Sequence, residues 1–373
     1  MSIQVIQQPA SISFAGDPIV VKARTTLTGK TFLRIKMTCN VTAYRSGEEI
    51  SYEEKYVYEV GDDGVATFNV SDTLRTALKR CIQQQVSGTT VSQTAYAARY
   101  TLTYKEAFLE DNVEIEEGEL TSEEYKALPG NLTEYERLTA PNADTSTLLG
   151  SGRILSRKPA GDRVVKGIDL YVPAVSTTSG TISFSVIDGA GKKDYSQSTG
   201  GALVPASLRI VTSSLQEGKL TVSTSAETGK ERYVVAPGPQ MRHFLFLNGF
   251  GLIESVTAVT RDSLQYGIES TAYAVPPETG FRATTQVVNF AKAPMGTYGM
   301  SSGFVSQDWA EWWVNEFLVT RRAWMLMEGR YLPVAIIPPE DTTLLDRSKP
   351  GLISVSFDVR LSFTGGTRNS FVV

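Results

Sequence analysis

Apolar and polar residues alternate with a period of two over much of the first hundred positions. In "FLRIKMTCNVTAY", Leu33, Ile35, Met37, Cys39, Val41 and Ala43 alternate with Arg34, Lys36, Thr38, Asn40 and Thr42, which predicts a strand with one dry and one wet face. The pattern returns in "TAYAARYTLTY", where Tyr96, Ala98, Tyr100, Leu102 and Tyr104 share a side. Gly16-Asp17-Pro18 marks a turn inside "SISFAGDPIVVKART", and "ISYEEKYVYEV" and "GVATFNV" add further strands. Spacing and turns together predict an antiparallel β-sandwich. One helix interrupts it at 71-81: Ser71 as cap, Asp72 at the positive end, and Leu74, Leu78 and Cys81 as a stripe.

The period changes near the C-terminus. In "DWAEWWVNEFLVT" Trp309, Trp312, Trp313, Phe317 and Thr320 share one helical face, which predicts a helix over 308-320 after the potential cap Ser306. Glu316 falls in the middle of that face, and Val314 and Leu318 lie on the far side. A helix this apolar all round is covered on all sides, either by its own fold or by another subunit. "AWMLM" and "RYLPVAII" read as two strands of a hairpin joined by a Glu328-Gly329 turn, with Pro333 marking an edge or bulge position. "GLISVSFDVRLSF" pairs alongside. The segment 176-180, "STTSG", is the predicted boundary between a domain at 1-175 and a second at 176-373. The fold class expected is mainly β: an N-terminal antiparallel sandwich, then a β-rich (α+β) domain with one Trp-rich helix and a C-terminal hairpin.

Charge alters this picture in one place. The insertion 106-150 is acidic, and Glu106 to Glu136 carries eleven acids, Glu114, Glu116 and Glu117 among them, against Lys126 alone. Such a run is a solvated face, or an arm for a basic surface on a neighbour. It lacks the D-x-D-x-D-G spacing of a calcium loop. Over all 373 residues the net charge is −4, with 36 basic residues spread along the chain, which argues against nucleic acid as partner. No window approaches eighteen apolar residues, so no membrane span is expected. The start lacks the pattern of a secretion signal.

Candidate chemistry is sparse. With His243 as the single histidine, a His-rich zinc site is excluded, and its place before "FLFL" suggests a structural role. Cys39 and Cys81 suit two buried thiols better than a redox pair. "NGFG" offers a lone G-x-G, read as a turn rather than a dinucleotide fingerprint. The sequence leaves carboxylate-only catalysis open, because paired acids can come from anywhere in a fold. Neither a catalytic residue nor a cofactor or metal site is assigned. All four tryptophans, Trp309, Trp312, Trp313 and Trp324, fall within sixteen positions. Core packing, a subunit interface with Arg321 and Arg322, and a sugar or membrane platform each account for them.

Three blocks carry a resemblance: "ISFAGDPIVVKART", "RHFLFLNGFGLIESV" and "RRAWMLMEGRYLPVAIIPPEDTT" with "LISVSFDVRLSF". Together they resemble tail proteins of bacteriophages and prophages of gut Bacteroidetes, of distal-tail, baseplate, tail-tip or adaptor type. The resemblance implies a structural virion subunit, not an enzyme, that assembles in the host cytoplasm and resides in the tail. It further implies homo-oligomeric rings and contacts with other tail proteins. The contact residues expected are Trp309, Trp312, Trp313, Arg321, Arg322, Trp324, Glu114, Glu116 and Glu117. The alternative is a carbohydrate- or receptor-binding virion protein, with glycan stacked on the tryptophans.

Overall fold

The computed structural model describes residues 2–45, 48–61, 63–81, 90–92, 98–134, 136, 153–175, 181–198, 205–225, 227–267, 270–275, 286–291, 295–340 and 353–361. The fold is mainly β; among the described residues the helical segments longer than a single turn are Ser71–Cys81 and the run Gln307–Trp312 with Trp313–Phe317. It divides into two compact units: Met1–Val235 with Leu247–Glu254, and Ala236–Phe246 with Ser255–Val373.

The first unit contains two sandwiches. In the N-terminal one, Val20–Thr25 pairs antiparallel with Ile3–Gln7 and Val65–Asn69. The facing sheet runs Ile12–Phe14, Tyr125–Leu128, Ala98–Glu110, Thr31–Arg45, Glu48–Glu59, and Val113–Thr121 also pairs with Ala98–Glu110. The alternation read from sequence sets the register. Ile35, Met37, Cys39, Val41 and Ala43 are buried opposite Glu106, Tyr104, Leu102, Tyr100 and Ala98. Leu33 departs from it, because Phe32 takes φ 52° and a register shift separates Thr31 from Arg34. Tyr96 lies outside the described residues.

Helix Ser71–Cys81 buries Leu74, Ala77 and Leu78 in this core. Ser71 does not cap it. Asn69 Oδ1 accepts from Ser71 N at 3.1 Å and from Ile19 N at 3.2 Å, and the first helical bond runs from Leu74 N to Val70 O. The Asn69 carboxamide thus takes up an amide that the helix start leaves unpaired.

The second sandwich stacks Asp162–Val165, Glu231–Val235, Gly218–Thr224, Thr181–Asp188 and Gly191–Ser198 over Leu170–Val175, Pro205–Ile210 and Thr90–Ser92. Leu170–Val175 pairs residue for residue with Pro205–Ile210. A boundary at 175/176 would therefore cut a sheet away from its core, and the division between units falls at 235/236 instead. The segment 176-180 lies outside the described residues, as do 137–150 of the acidic insertion.

In the second unit Met241–Leu247, Ile253–Gly267, Met295–Val305, Ile353–Leu361, Arg330–Ile337 and Ala323–Met327 close into a six-stranded barrel. The predicted 308-320 helix is α-helical over Gln307–Trp312 and π-helical over Trp313–Phe317, with Leu318 N donating to Trp313 O at 2.9 Å. The hairpin turns at Glu328 (φ 48°) and Gly329 (φ 75°), a left-handed pair that matches strand twist. Pro333 keeps one flank unpaired among the described residues although the barrel closes. It pairs opposite Trp324, one residue before the pairing of its strand with Ile353–Leu361 begins at Val334.

Candidate functional site

The strongest concentration of polar chemistry lies in the first unit, where three turns meet. Gly16 N donates to Gly130 O at 2.7 Å, and Asn131 N to Gly249 O at 2.9 Å. Gly130 has φ 100°, and a Cβ there would sit 2.4 Å from the Phe250 carbonyl carbon. Gly251, at φ 73°, would place one 2.7 Å from Pro129. Both positions therefore need glycine for backbone angle and for close approach. Ile12, Phe14, Leu128, Leu155, Val175 and Leu252 supply the apolar floor.

Asn248 organises the third turn. Its Oδ1 accepts from Phe250 N at 3.1 Å and Leu252 N at 3.0 Å, while Nδ2 donates to Leu155 O at 2.8 Å and Glu254 Oε2 at 3.1 Å. Phe250 lies between Phe14, 5.7 Å away, and the Arg157 guanidinium, 4.1 Å above its ring. Arg157 in turn holds Glu136 through Nε at 3.0 Å and Nη2 at 2.7 Å. Glu136 and Thr133 make a reciprocal capping box, Thr133 N to Oε2 at 2.7 Å and Glu136 N to Oγ1 at 3.1 Å. Burial pushes the Glu136 carboxyl up, but the Arg157 and Thr133 bonds outweigh it and the net direction is down.

Deeper in, Ser156 Oγ donates to Glu254 Oε1. Lys158 Nζ sits 2.7 Å from Asp162 Oδ2, with side chains 3% and 6% exposed. Arg232 Nε faces the same oxygen at 3.8 Å. Burial pushes the Glu254 carboxyl up, opposed by the Lys158 charge and by bonds from Ser156 and Asn248. Breaking one partner of such a buried network leaves an uncompensated charge or dipole, so its members hold one another in a fixed arrangement.

The sequence located the Gly16 and Gly249 turns but not their meeting, nor the roles of Asn248, Glu254, Lys158, Asp162 and Arg232. The available signal was a charged residue, Glu254, inside the apolar run "GLIESV". Among the described residues no group of three or more His, Cys, Asp or Glu could hold a metal ion.

The residues expected to make contacts separate into two sets. Trp312 and Trp313 fill the barrel with Phe317, Phe244, Phe246 and Phe357. Trp313 stacks on Phe357 at 5.6 Å and 29°. Trp324 is buried opposite Leu245. Trp312 and Trp313 thus occupy the interior that a six-stranded barrel needs bulky groups to fill, whereas Trp324 is buried on the opposite face of its strand from the core residues Ala323 and Met325. Trp309 is half-buried and edge-on to Trp312 at 72°. Arg321 and Arg322 are exposed.

Glu114, Glu116 and Glu117 are exposed on the hairpin strand Val113–Thr121. Lys36 Nζ lies 3.0 Å from Glu114 and 2.7 Å from Glu116, and Lys105 lies 3.4 Å from Glu119. The hydrogen bond to Lys36 lowers the Glu116 carboxyl. Much of the acidic run is therefore balanced within its own sheet, by pairs that contribute little to stability at the surface. His243 is buried, with Nδ1 3.3 Å from Thr257 Oγ1 and its ring against Tyr331.

No family model matches the chain, and no curated protein matches it. Among solved structures it is similar to the titin Ig tandem domains A164-A165, at 10% identity and TM-score 0.20, covering 63% of this chain and 97% of that one. It is also similar to the calcium binding domain CBD12 of CALX1.1, at 8% identity and TM-score 0.21, covering 60% and 80%. A third is a 1.5-MDa bacterial ice-binding adhesin, at 10% identity and TM-score 0.16, covering 78% and 95%. The strand pairing described above, not these likenesses, defines a mainly β chain of sandwiches and a barrel.

Proposed function

We propose that this chain is a structural subunit of a phage tail or tail-like particle, a ring, baseplate, tail-tip or adaptor component that acts by non-covalent assembly without turnover. Its place would be the virion tail, after assembly in the host cytoplasm. The tail-protein resemblance of three sequence blocks motivates the reading, and one structural observation carries it. Glu48–Glu59, twelve residues long, ends its sheet, and among the described residues no strand pairs its outer flank. Val57 and Tyr58 on it are 51% and 47% exposed. Soluble monomers usually blunt or cover so long an edge, since its free amides and carbonyls are a template for another chain. Its glutamates discourage pairing with itself and leave room for a less acidic strand.

The test is light scattering with negative-stain imaging of the purified chain, alone and co-expressed with its neighbouring tail components. Defined multimers, or co-purifying particles, that the double variant Val57→Lys with Tyr58→Lys dissolves while its melting temperature holds would support assembly through this edge. A strict monomer in both samples would sink the proposal. The glycan-binding alternative requires a planar pair of exposed rings, whereas Trp309 stands edge-on to a buried Trp312.

A further inference from the structure

The cluster around Lys158 has a composition that an ordinary buried ion pair does not need. Lys158 and Asp162 are four residues apart, and the turn Lys158-Pro159-Ala160-Gly161-Asp162 folds the ammonium onto the carboxylate at 2.7 Å, with both side chains more than nine-tenths buried. A second carboxyl, Glu254, is 2% exposed and near enough to feel the charges of both Lys158 and Asp162; Ser156 Oγ donates to its Oε1 and accepts from the backbone N of Lys158 at 3.3 Å. Arg232 is buried, its Nε faces Asp162 Oδ2 at 3.8 Å, and that nitrogen makes no hydrogen bond among the described residues. Nucleophile, electrophile, proton carrier and a cation facing the oxygen that would gain charge are thus assembled away from water.

We propose that Lys158 and Asp162 condense into an intramolecular isopeptide bond, with Glu254 carrying the proton and Arg232 stabilising the oxyanion. In this condensation one proton passes from Nζ to Asp162 Oδ1, the oxygen that departs, which frees the amine lone pair. Nζ attacks Cγ and a C–N bond forms. Negative charge develops on the Asp162 oxygen facing Arg232. Glu254 hands its proton to the departing hydroxyl and recovers one from Nζ, so the C–O bond breaks and one water leaves. Ammonium plus carboxylate become amide plus water, with no oxidant, reductant or cofactor. Burial favours the protonated form of Glu254 that the first transfer requires. The bond accumulates slowly, after folding has buried the cluster. The product ties down the turn that precedes strand Asp162–Val165.

The experiment is intact-mass spectrometry of the full folded chain over time, followed by fragmentation of the peptide spanning 158 to 162. The expected result is a deficit of one water, about 18 Da, with backbone fragments missing between Lys158 and Asp162. Lys158→Arg and Asp162→Ala should restore the full mass. Glu254→Gln should slow accumulation roughly 100-fold, the scale of positioned proton transfer. A full sequence mass in aged, folded protein would overturn the proposal. So would a deficit that persists in Lys158→Arg, which would place the lost water elsewhere. If that variant does not fold, the fragment map of the unmodified chain decides. The readout is independent of whether the chain assembles.

Discussion

Trp313→Ala separates a ring that fills a core from one that waits for a partner. Trp313 is 2% exposed, stacks on Phe357 at 5.6 Å, and stands edge-on to Trp312 at 5.6 Å and Phe317 at 4.9 Å. Truncation removes the buried ring, forfeits those pairings and leaves a cavity that six hydrogen-bonded strands cannot close. The expected loss is about 3–5 kcal/mol. In a unit of this size that lowers Tm by roughly 10–20 °C. Urea unfolding followed by fluorescence of the remaining tryptophans should show a lower midpoint with an unchanged m-value. Val319→Ala, at a side chain 66% exposed, should stay within about 0.5 kcal/mol of the parent. If Trp313→Ala instead melts like Val319→Ala, and its only defect is lost assembly, the core assignment is refuted.

Gly130→Ala would add strain at φ 100° and press a methyl onto backbone atoms of Gly249 and Phe250; we expect a loss of about 2–5 kcal/mol by urea titration, and a variant as stable as the parent would mean the turns do not meet. Burial pushes the Cys39 thiol up to about 12, so in a Cys81→Ser background it should resist a thiol reagent at mildly alkaline pH until denaturant is added. Rapid labelling of the folded protein would contradict its place in the sandwich core. Glu136 has a folded-state pKa below its ordinary 4.5, so the stability it confers is present above that value and lost as pH falls through the folded pKa. The stability gap between the parent and Glu136→Gln should therefore narrow on acidification below the ordinary carboxylate range, and a constant gap would show that the Arg157 pair does not set it.

Local rules made much of this protein legible. The period of two in 33–43 and 98–104 placed five residues of one strand and four of another in the core, because a strand's side chains alternate faces whatever it pairs with. The helix 71-81, the Glu328-Gly329 turn and the β-rich class follow from equally local preferences of backbone angle and side-chain packing. The sequence also showed that the tryptophan segment must be covered, though not by what. Only the tertiary structure decided that Trp312 and Trp313 occupy a barrel interior, since closure depends on pairing between strands as distant in the chain as Met241–Leu247 and Ala323–Met327. It likewise decided that Asn69 rather than Ser71 serves the helix start, and that Leu170–Val175 belongs with Pro205–Ile210. The buried cluster of Lys158, Asp162, Arg232 and Glu254 draws on three segments whose individual compositions are unremarkable. A single segment records its own periodicity and turns, whereas burial of a charge is a property of everything folded around it.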